Sequence, residues 1–450
     1  MKRAVLFTCA SLTVAAAGAC ASSEDREPGS SPGPDAEALP GSDASPNEER
    51  ADAGTDAATC SAAGWCPTPL PDADLTLKDI WAFPGRAFAI AESPTLGAKV
   101  LEWTEAEGKW FYIDDNAQNK AGRGQYVGKI WAPSEDEIYF TVAPRTVFHG
   151  SRAVGGNGSG FGSNWSWEHW QLEDRIPIYD SPMVEALSEF FPEHYRGRPW
   201  DSAANAELTS LGVYGTSPDD VYAWYGNAIS RLTIGAAGDR AWVVEYVADD
   251  LDYEDEQLFF LGATATNGGD IWFVGGRGSY PGDNRTCAIA VRRTGGTYRR
   301  VVDGVGAWYP TWCDEREGTA LVGGAVGWLT DVHATSPNGV IGLKGGQTIA
   351  GISVVADDAY SVETSAIPSM SFMHPRFLSM WAAADGPIWL GGTNIVVRGD
   401  DVWNDGGAYE ISTLSLNGAW LGTPIYQVRA SSKGDVWAVG AGYALHKTTP

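Results

Sequence analysis

The chain has 450 residues, with 55 glycines, 20 tryptophans and 17 tyrosines, and its 31 Lys and Arg fall well short of its 57 Asp and Glu, for a formal net charge of −26. That balance argues against a nucleic-acid partner, because phosphate-backbone binding needs clustered cations; cations and neutral polymers stay open. Abundant glycine with many aromatics, and few stretches of helical period, points to short strands and turns and so to an all-β chain.

The N-terminus, MKRAVLFTCASLTVAAAGAC, sets Lys2 and Arg3 before an apolar run from Ala4 to Ala17. Such a run reads as a secretory signal, too short for a spanning helix. It ends in Ala17-Gly18-Ala19-Cys20, which resembles a bacterial lipobox, with Ala17 where such boxes usually carry Leu. The resemblance implies removal of residues 1–19 and lipidation of Cys20. Acyl chains (palmitate) would then hold the protein on a bilayer without spanning it. Ala21 rather than Asp after the cysteine implies, on the same resemblance, an outer-membrane lipoprotein facing the cell surface or the periplasm. Simple cleavage at the A-x-A site formed by Ala17 and Ala19, giving a secreted protein, is the alternative. Residues 20–59 follow, with no aromatic and one large aliphatic residue, Leu39. They cannot bury enough surface to offset the entropy of ordering and are expected to form a disordered acidic linker.

Four cysteines remain beyond the signal and Cys20: Cys60, Cys66, Cys287 and Cys313. An even number in an exported protein favours disulfides. Three pairings are possible, and the local ones, Cys60–Cys66 and Cys287–Cys313, are preferred. The second closes a loop worth roughly 3 kcal/mol in the chain-entropy picture. A zinc site lacks the x2 spacing and the partner histidine it would need.

From Leu77 onward one hairpin recurs seven times, ending with SSKGDVWAVG. In each copy an apolar first-strand position is followed eight residues later by a second-strand one: Ile80/Phe88, Ile130/Ile138, Val213/Val221, Ala263/Ile271, Val332/Val340, Met380/Ile388 and Val428/Val436. Ser, Pro, Asp, Asn and Gly fill the turns between. Copies lie 50, 83, 50, 69, 48 and 48 residues apart. About 50 residues hold four short strands, the content of a propeller blade. The second strands, such as Asp435-Val436-Trp437-Ala438-Val439-Gly440, are apolar at consecutive positions, as strands buried on both faces are. Outer strands are expected at Trp110, Trp242, Tyr298 and Trp403. The last copy lacks its outer strand, and GWCPTPLP from Gly64 is expected to supply it, closing the ring with Cys60–Cys66 as a brace. The expected fold is a seven-bladed β-propeller over residues 60–450, with an insertion at about 145–205. An open sandwich or a solenoid is the alternative.

The hairpin SSKGDVWAVG, the segment GWCPTPLP ahead of the first copy and the signal–tether–cysteine start together resemble secreted bacterial β-propeller lipoproteins with loosely BNR-like repeats. The resemblance covers residues 60–450 and implies a fold. Sialidase-type repeats carry S-x-D-x-G-x-x-W, and no copy occurs here, which weakens a glycosidase reading.

Tryptophans on repeat positions (Trp81, Trp131, Trp381, Trp272, Trp389, Trp437) are expected to be inter-blade core. Asp136, Asp220, Asp270 and Asp435 could ring one face and hold cations, but turn carboxylates also bond their own backbone, the preferred reading. DDLDYEDEQ from Asp249 lacks calcium-loop spacing and reads as a solvated acidic loop. The 83-residue interval carries Trp165, Trp167, His169 and Trp170, then a short helix from Ser181, with Tyr195 and Trp200 close behind. These six residues are the candidate binding set, since long insertions on rigid scaffolds often carry function. The alternative is that they pack the insertion onto the propeller. No nucleophile elbow, Walker loop, dinucleotide fingerprint or HExxH occurs, and His149, His333, His374 and His446 lie on different repeats. No catalytic residue, cofactor or metal is therefore assigned. The expected function is a monomeric cell-surface binding module for a protein or a polysaccharide, with membrane contact through the lipid alone. The alternatives are a glycan-active hydrolase or lyase with carboxylates at the channel mouth, and a structural envelope lipoprotein.

Overall fold

The computed structural model describes residues 60–448 apart from 121–125, 153–163, 176–209, 253–255, 280–285, 307–311, 357–358, 369–375, 385, 405–406 and 417–418. The strands form seven four-stranded antiparallel sheets and two small two-stranded ones. The first strands of the repeats are Thr76–Phe83, Val127–Ser134, Leu211–Ser217, Glu256–Ala265, Leu329–Ser336, Ser379–Ala382 and Ile425–Ser432. Each touches the first strands of the repeats before and after it, and the last touches the first. The chain is a seven-bladed β-propeller, with blades 1 to 7 in chain order around a central channel.

The consecutive apolar residues of the second strands are explained by burial on two sides. In Asp435–Gly440, Val436 and Ala438 pack with Trp389 of blade 6, while Trp437 and Val439 pack with Leu77 and Trp103 of blade 1. In some of these strands a glycine stands where the backbone passes the first strand, or the residue before it, at close range. A Cβ on Gly275 would stand 1.8 Å from the carbonyl oxygen of Phe259, and one on Gly440 2.3 Å from that of Pro424. Only a residue without a side chain fits there.

Blade 7 takes its outermost strand from the other end of the chain, as expected. Cys66–Thr68 pairs with Tyr443–Lys447, Cys66 opposite His446 and Thr68 opposite Ala444. Trp65, 1% exposed, meets Trp389 edge-on at 5.9 Å, and Lys447 donates to the carbonyl of Ala63 at 2.6 Å. Cys60 and Cys66 are bonded, as are Cys287 and Cys313.

The structure corrects two details and qualifies a third. Trp403 lies in a turn, and the outermost strand of blade 6 is Ala408–Thr413. The stretch at 145–205 is in part blade: Thr146–Arg152 and Trp165–Gln171 are the third and fourth strands of blade 2. The helix expected from Ser181 lies outside the described residues. The acidic stretch from Asp249 is exposed at Asp249, Asp250 and Asp252, as a solvated loop would be, but two of these acids and Glu256 are also paired to arginines. Arg277, 1% exposed, donates to Asp303 at 3.0 Å and to Glu256 at 2.7 Å, while Arg300 engages Asp250 and Arg316 engages Asp252. Three arginines from blade 4 and the segment behind it converge there, and buried charge needs such partners. That segment, 303–328, accounts for the 69-residue interval. Its hairpin of Gly304–Gly306 and Cys313–Glu315 is tied to the third strand of blade 4 by Cys287–Cys313.

Candidate binding site in the central channel

The residue just before the repeated apolar position of each first strand forms a ring of equivalent positions, four of which (Asp79, Lys129, Gly262 and Asp331) line the central channel. Around the ring these are Asp79, Lys129, Gly212, Gly262, Asp331, Ser379 and Gln427. Several brace one blade to the next. Asp79 Oδ2 accepts from the amide of Ile130 at 2.9 Å, Asp331 Oδ2 from that of Met380 at 3.0 Å, and Ser379 Oγ from that of Val428 at 3.0 Å. Lys129 reaches across the channel to Asp331 Oδ1 at 3.4 Å and Gln427 Oε1 at 3.5 Å. Blades 3 and 4 carry glycine at this position.

Two residues further along, toward the first hairpins, stand Trp81, Trp131, Tyr214, Thr264, His333, Trp381 and Arg429. The Arg429 guanidinium lies 3.9 Å from the centroid of Trp81. Trp81 in turn meets Tyr214 at 6.5 Å and Trp131 at 6.4 Å. Trp131 is buried between blades 2 and 3. The Tyr214 hydroxyl accepts from the amide of Ala265 at 3.0 Å, and His333 Nε2 lies 2.7 Å from the carbonyl oxygen of Met380. That contact makes Nε2 the protonated nitrogen and leaves Nδ1 as an acceptor.

A cavity of 550 Å³ occupies this part of the channel, with wall residues from all seven blades, among them Asp79, Lys129, Tyr214, His333 and Arg429. That size lies within the range of roughly 300–1,000 Å³ usual for small-ligand sites. Burial raises the pKa of Asp79 against the pull of Lys129 and Arg429. Burial also penalises the Lys129 ammonium, but Asp331 and Asp79 outweigh it and hold its pKa above the ordinary value. Burial lowers Arg429, opposed by the same two carboxylates. His333 is pushed down to about 4 by burial and by Arg429, so its ring is neutral at pH 7.

Two carboxyl groups and two cations thus share the cavity with a neutral imidazole and an aromatic wall. This arrangement can present donors and acceptors to a polar ligand without demanding charge of either sign. Among the described residues no three His, Cys, Asp or Glu side chains gather as a metal set.

The residues singled out from the sequence lie elsewhere. Trp165, Trp167, His169 and Trp170 belong to the outermost strand of blade 2, far out from the first-strand ring, the first three on one face of the strand and Trp170 on the other. Trp165 meets Phe88 of blade 1 at 5.8 Å and Trp167 meets Phe140 at 5.6 Å, whereas Trp170 turns to the other side, 6.4 Å from His149. His169 stacks on Phe148 at 5.4 Å and is exposed. Tyr195 and Trp200 lie outside the described residues.

The turn carboxylates are paired to bases of the third strand. Asp220 takes Arg231 at 3.1 Å, Asp270 takes Arg292 at 2.9 Å, Asp435 takes His446, and Asp136 takes Arg152 at 3.1 Å. In three of these blades the base lies over the aromatic two residues after the acid: Arg231 over Tyr222, Arg292 over Trp272, and His446 stacked on Trp437 at 4.0 Å. The expected bond to the local backbone gives way to this stronger, charge-assisted pair. The channel set was missed because its residues share no chemistry. Their common signal is position, one residue before and one after each repeated apolar site.

No family model and no curated protein matches the chain. Among solved structures, YCF48 from Cyanidioschyzon merolae is similar at 14% identity and a TM-score of 0.49, over 86% of this chain and 99% of that one. YCF48 bound to D1 peptide is similar at 12% identity and a TM-score of 0.48, over 86% and 97%. The WD40 β-propeller domain of Doa1 follows at 9% identity and a TM-score of 0.45, over 85% and 96%. At these values the likenesses carry no functional argument, and the propeller rests on its own strand pairing.

Proposed function

We propose that this protein is a non-catalytic binding module, exported and held at the cell envelope through a lipid on Cys20, which engages a protein or a polysaccharide at the channel mouth. The observation that carries this reading is the 550 Å³ cavity, walled by all seven blades, into which the uncommitted guanidinium of Arg429 faces. Arg429 donates no hydrogen bond to any described residue while being held in place on Trp81. A pre-oriented cation without an acceptor suits a site waiting for a ligand.

A second reading, a glycan-active hydrolase or lyase, draws support from Asp79 and Asp331 lining one cavity. Against it, each carboxylate already accepts a backbone amide of the next blade, and Lys129 holds Asp331. Groups so engaged serve better as braces than as proton carriers.

The test is binding of the full-length chain to cell-envelope protein and polysaccharide fractions, beside Asn267→Trp. Asn267 is an exposed residue of the cavity rim, so the substitution narrows the mouth without removing a buried group. Binding should fall at least tenfold in the variant at unchanged melting temperature. Equal binding by both would move the site off the channel. No binding by the wild type would favour the structural role, and polysaccharide cleavage lost in Asp79→Asn would favour the enzyme.

A further inference from the structure

Resting on that reading, we propose that the channel cavity takes a neutral sugar ring, so that the partner is a neutral polysaccharide rather than an acidic glycan or a protein. The first argument is hydrogen bonding. Arg429 offers a planar fork of donors, fixed 3.9 Å over Trp81, with no acceptor among the described residues. Vicinal hydroxyl oxygens match such a fork. The Tyr214 hydroxyl already accepts from the amide of Ala265, so its proton is left to donate. His333 spends Nε2 on the carbonyl of Met380, which leaves Nδ1 to accept. Donors and acceptors therefore alternate around one space. A hydroxyl, which donates and accepts at the same atom, can satisfy both kinds.

The second argument is charge. Asp79 and Asp331 balance Lys129 and Arg429 within the cavity wall, and the whole chain carries −26. A uronate or an acidic peptide would leave the site with an unmatched negative charge and would approach against the field of the protein. A lysine or arginine side chain would meet Arg429 and Lys129. A neutral ring meets neither objection. The third argument is surface: Trp81 and Tyr214, both partly exposed, give the wall aromatic area against which the C–H groups of a sugar can lie.

The full-length chain would be titrated with neutral gluco-, galacto- and manno-oligosaccharides and with uronate oligomers of equal length, beside Arg429→Lys and Tyr214→Phe. Arg429→Lys keeps the charge and loses the fork, so binding of the neutral oligomer should weaken at least tenfold, with the melting temperature retained. Tyr214→Phe should weaken it about threefold to tenfold. On the unaltered protein, saturation-transfer NMR should report transfer to the C–H protons of the bound ring, whatever the variants' stability. Tighter binding of uronates, wild-type affinity in Arg429→Lys, or no neutral oligomer bound would each overturn the proposal. If an envelope protein binds and is blocked by Asn267→Trp while no sugar binds, the module reading survives and the sugar does not.

Discussion

His333 shows how the channel sets the chemistry of a single side chain. Burial, and then the nearby Arg429, take its pKa from 6.5 down to about 4. Between those two values the unfolded chain takes up a proton that the folded protein declines. Stability is therefore unaffected above pH 6.5 and is lost as the pH falls from 6.5 toward 4, by roughly 1–3 kcal/mol from this residue. His333→Gln preserves a donor for the Met380 carbonyl and removes the titration. Urea midpoints of the two proteins should diverge at pH 7 and converge, or cross, by pH 4.5. Parallel curves across that range would mean that His333 is not held neutral by its surroundings. The same residue illustrates a limit of reading a chain linearly: His333 stands out in no motif, and its partners Met380 and Arg429 are supplied by blades 6 and 7.

Among the elements, the acid, aromatic and base of adjacent strands form a unit that recurs with changed chemistry. Asp435, Trp437 and His446 are one version; in blade 1 the signs are reversed, with Arg86 on the second strand and Glu102 on the third. Burial raises the pKa of Asp435, but hydrogen bonds from His446 and Ser431 outweigh it and bring it below 3.8. Its stabilising contribution is thus present above pH 3.8 and is lost as the pH drops below that value. Asp435→Asn should cost about 1–3 kcal/mol at pH 7, and the difference from wild type should shrink at pH 3. Urea denaturation at the two pH values measures it; an equal loss at both would assign the effect to packing. The acid and the aromatic were visible in the repeated Asp-x-Trp of the second strands. Their partner was not, because its identity drifts among Arg and His and only strand pairing brings it opposite. The Trp165–Trp170 cluster shows the converse. Three tryptophans in six residues look like one platform, but a strand sends successive side chains to opposite faces, and two of the three are packed against the body of the propeller.

For the whole molecule, closure of the ring concentrates stability at one seam. Trp65→Ala removes a side chain 1% exposed, which fills the junction with Trp389, and should cost about 3–5 kcal/mol. Hydrogen exchange should rise first along Tyr443–Lys447 and Cys66–Thr68, the two strands of the seam. A rise spread evenly over seven blades would show that closure acts globally.

What the sequence determined by itself was the repeat: its number, its hairpin, the two-sided burial of the second strand and the strand borrowed from the N-terminus. All of these follow from local periodicity and turn chemistry, which neighbouring residues carry. The tertiary structure alone decided the site. Asp79, Lys129, His333 and Arg429 are separated by whole blades along the chain, and although each flanks a repeated apolar position, no shared residue type marks them as a set. They meet because seven equivalent strand positions converge on one axis, and convergence on an axis is a property of the closed ring rather than of any segment within it.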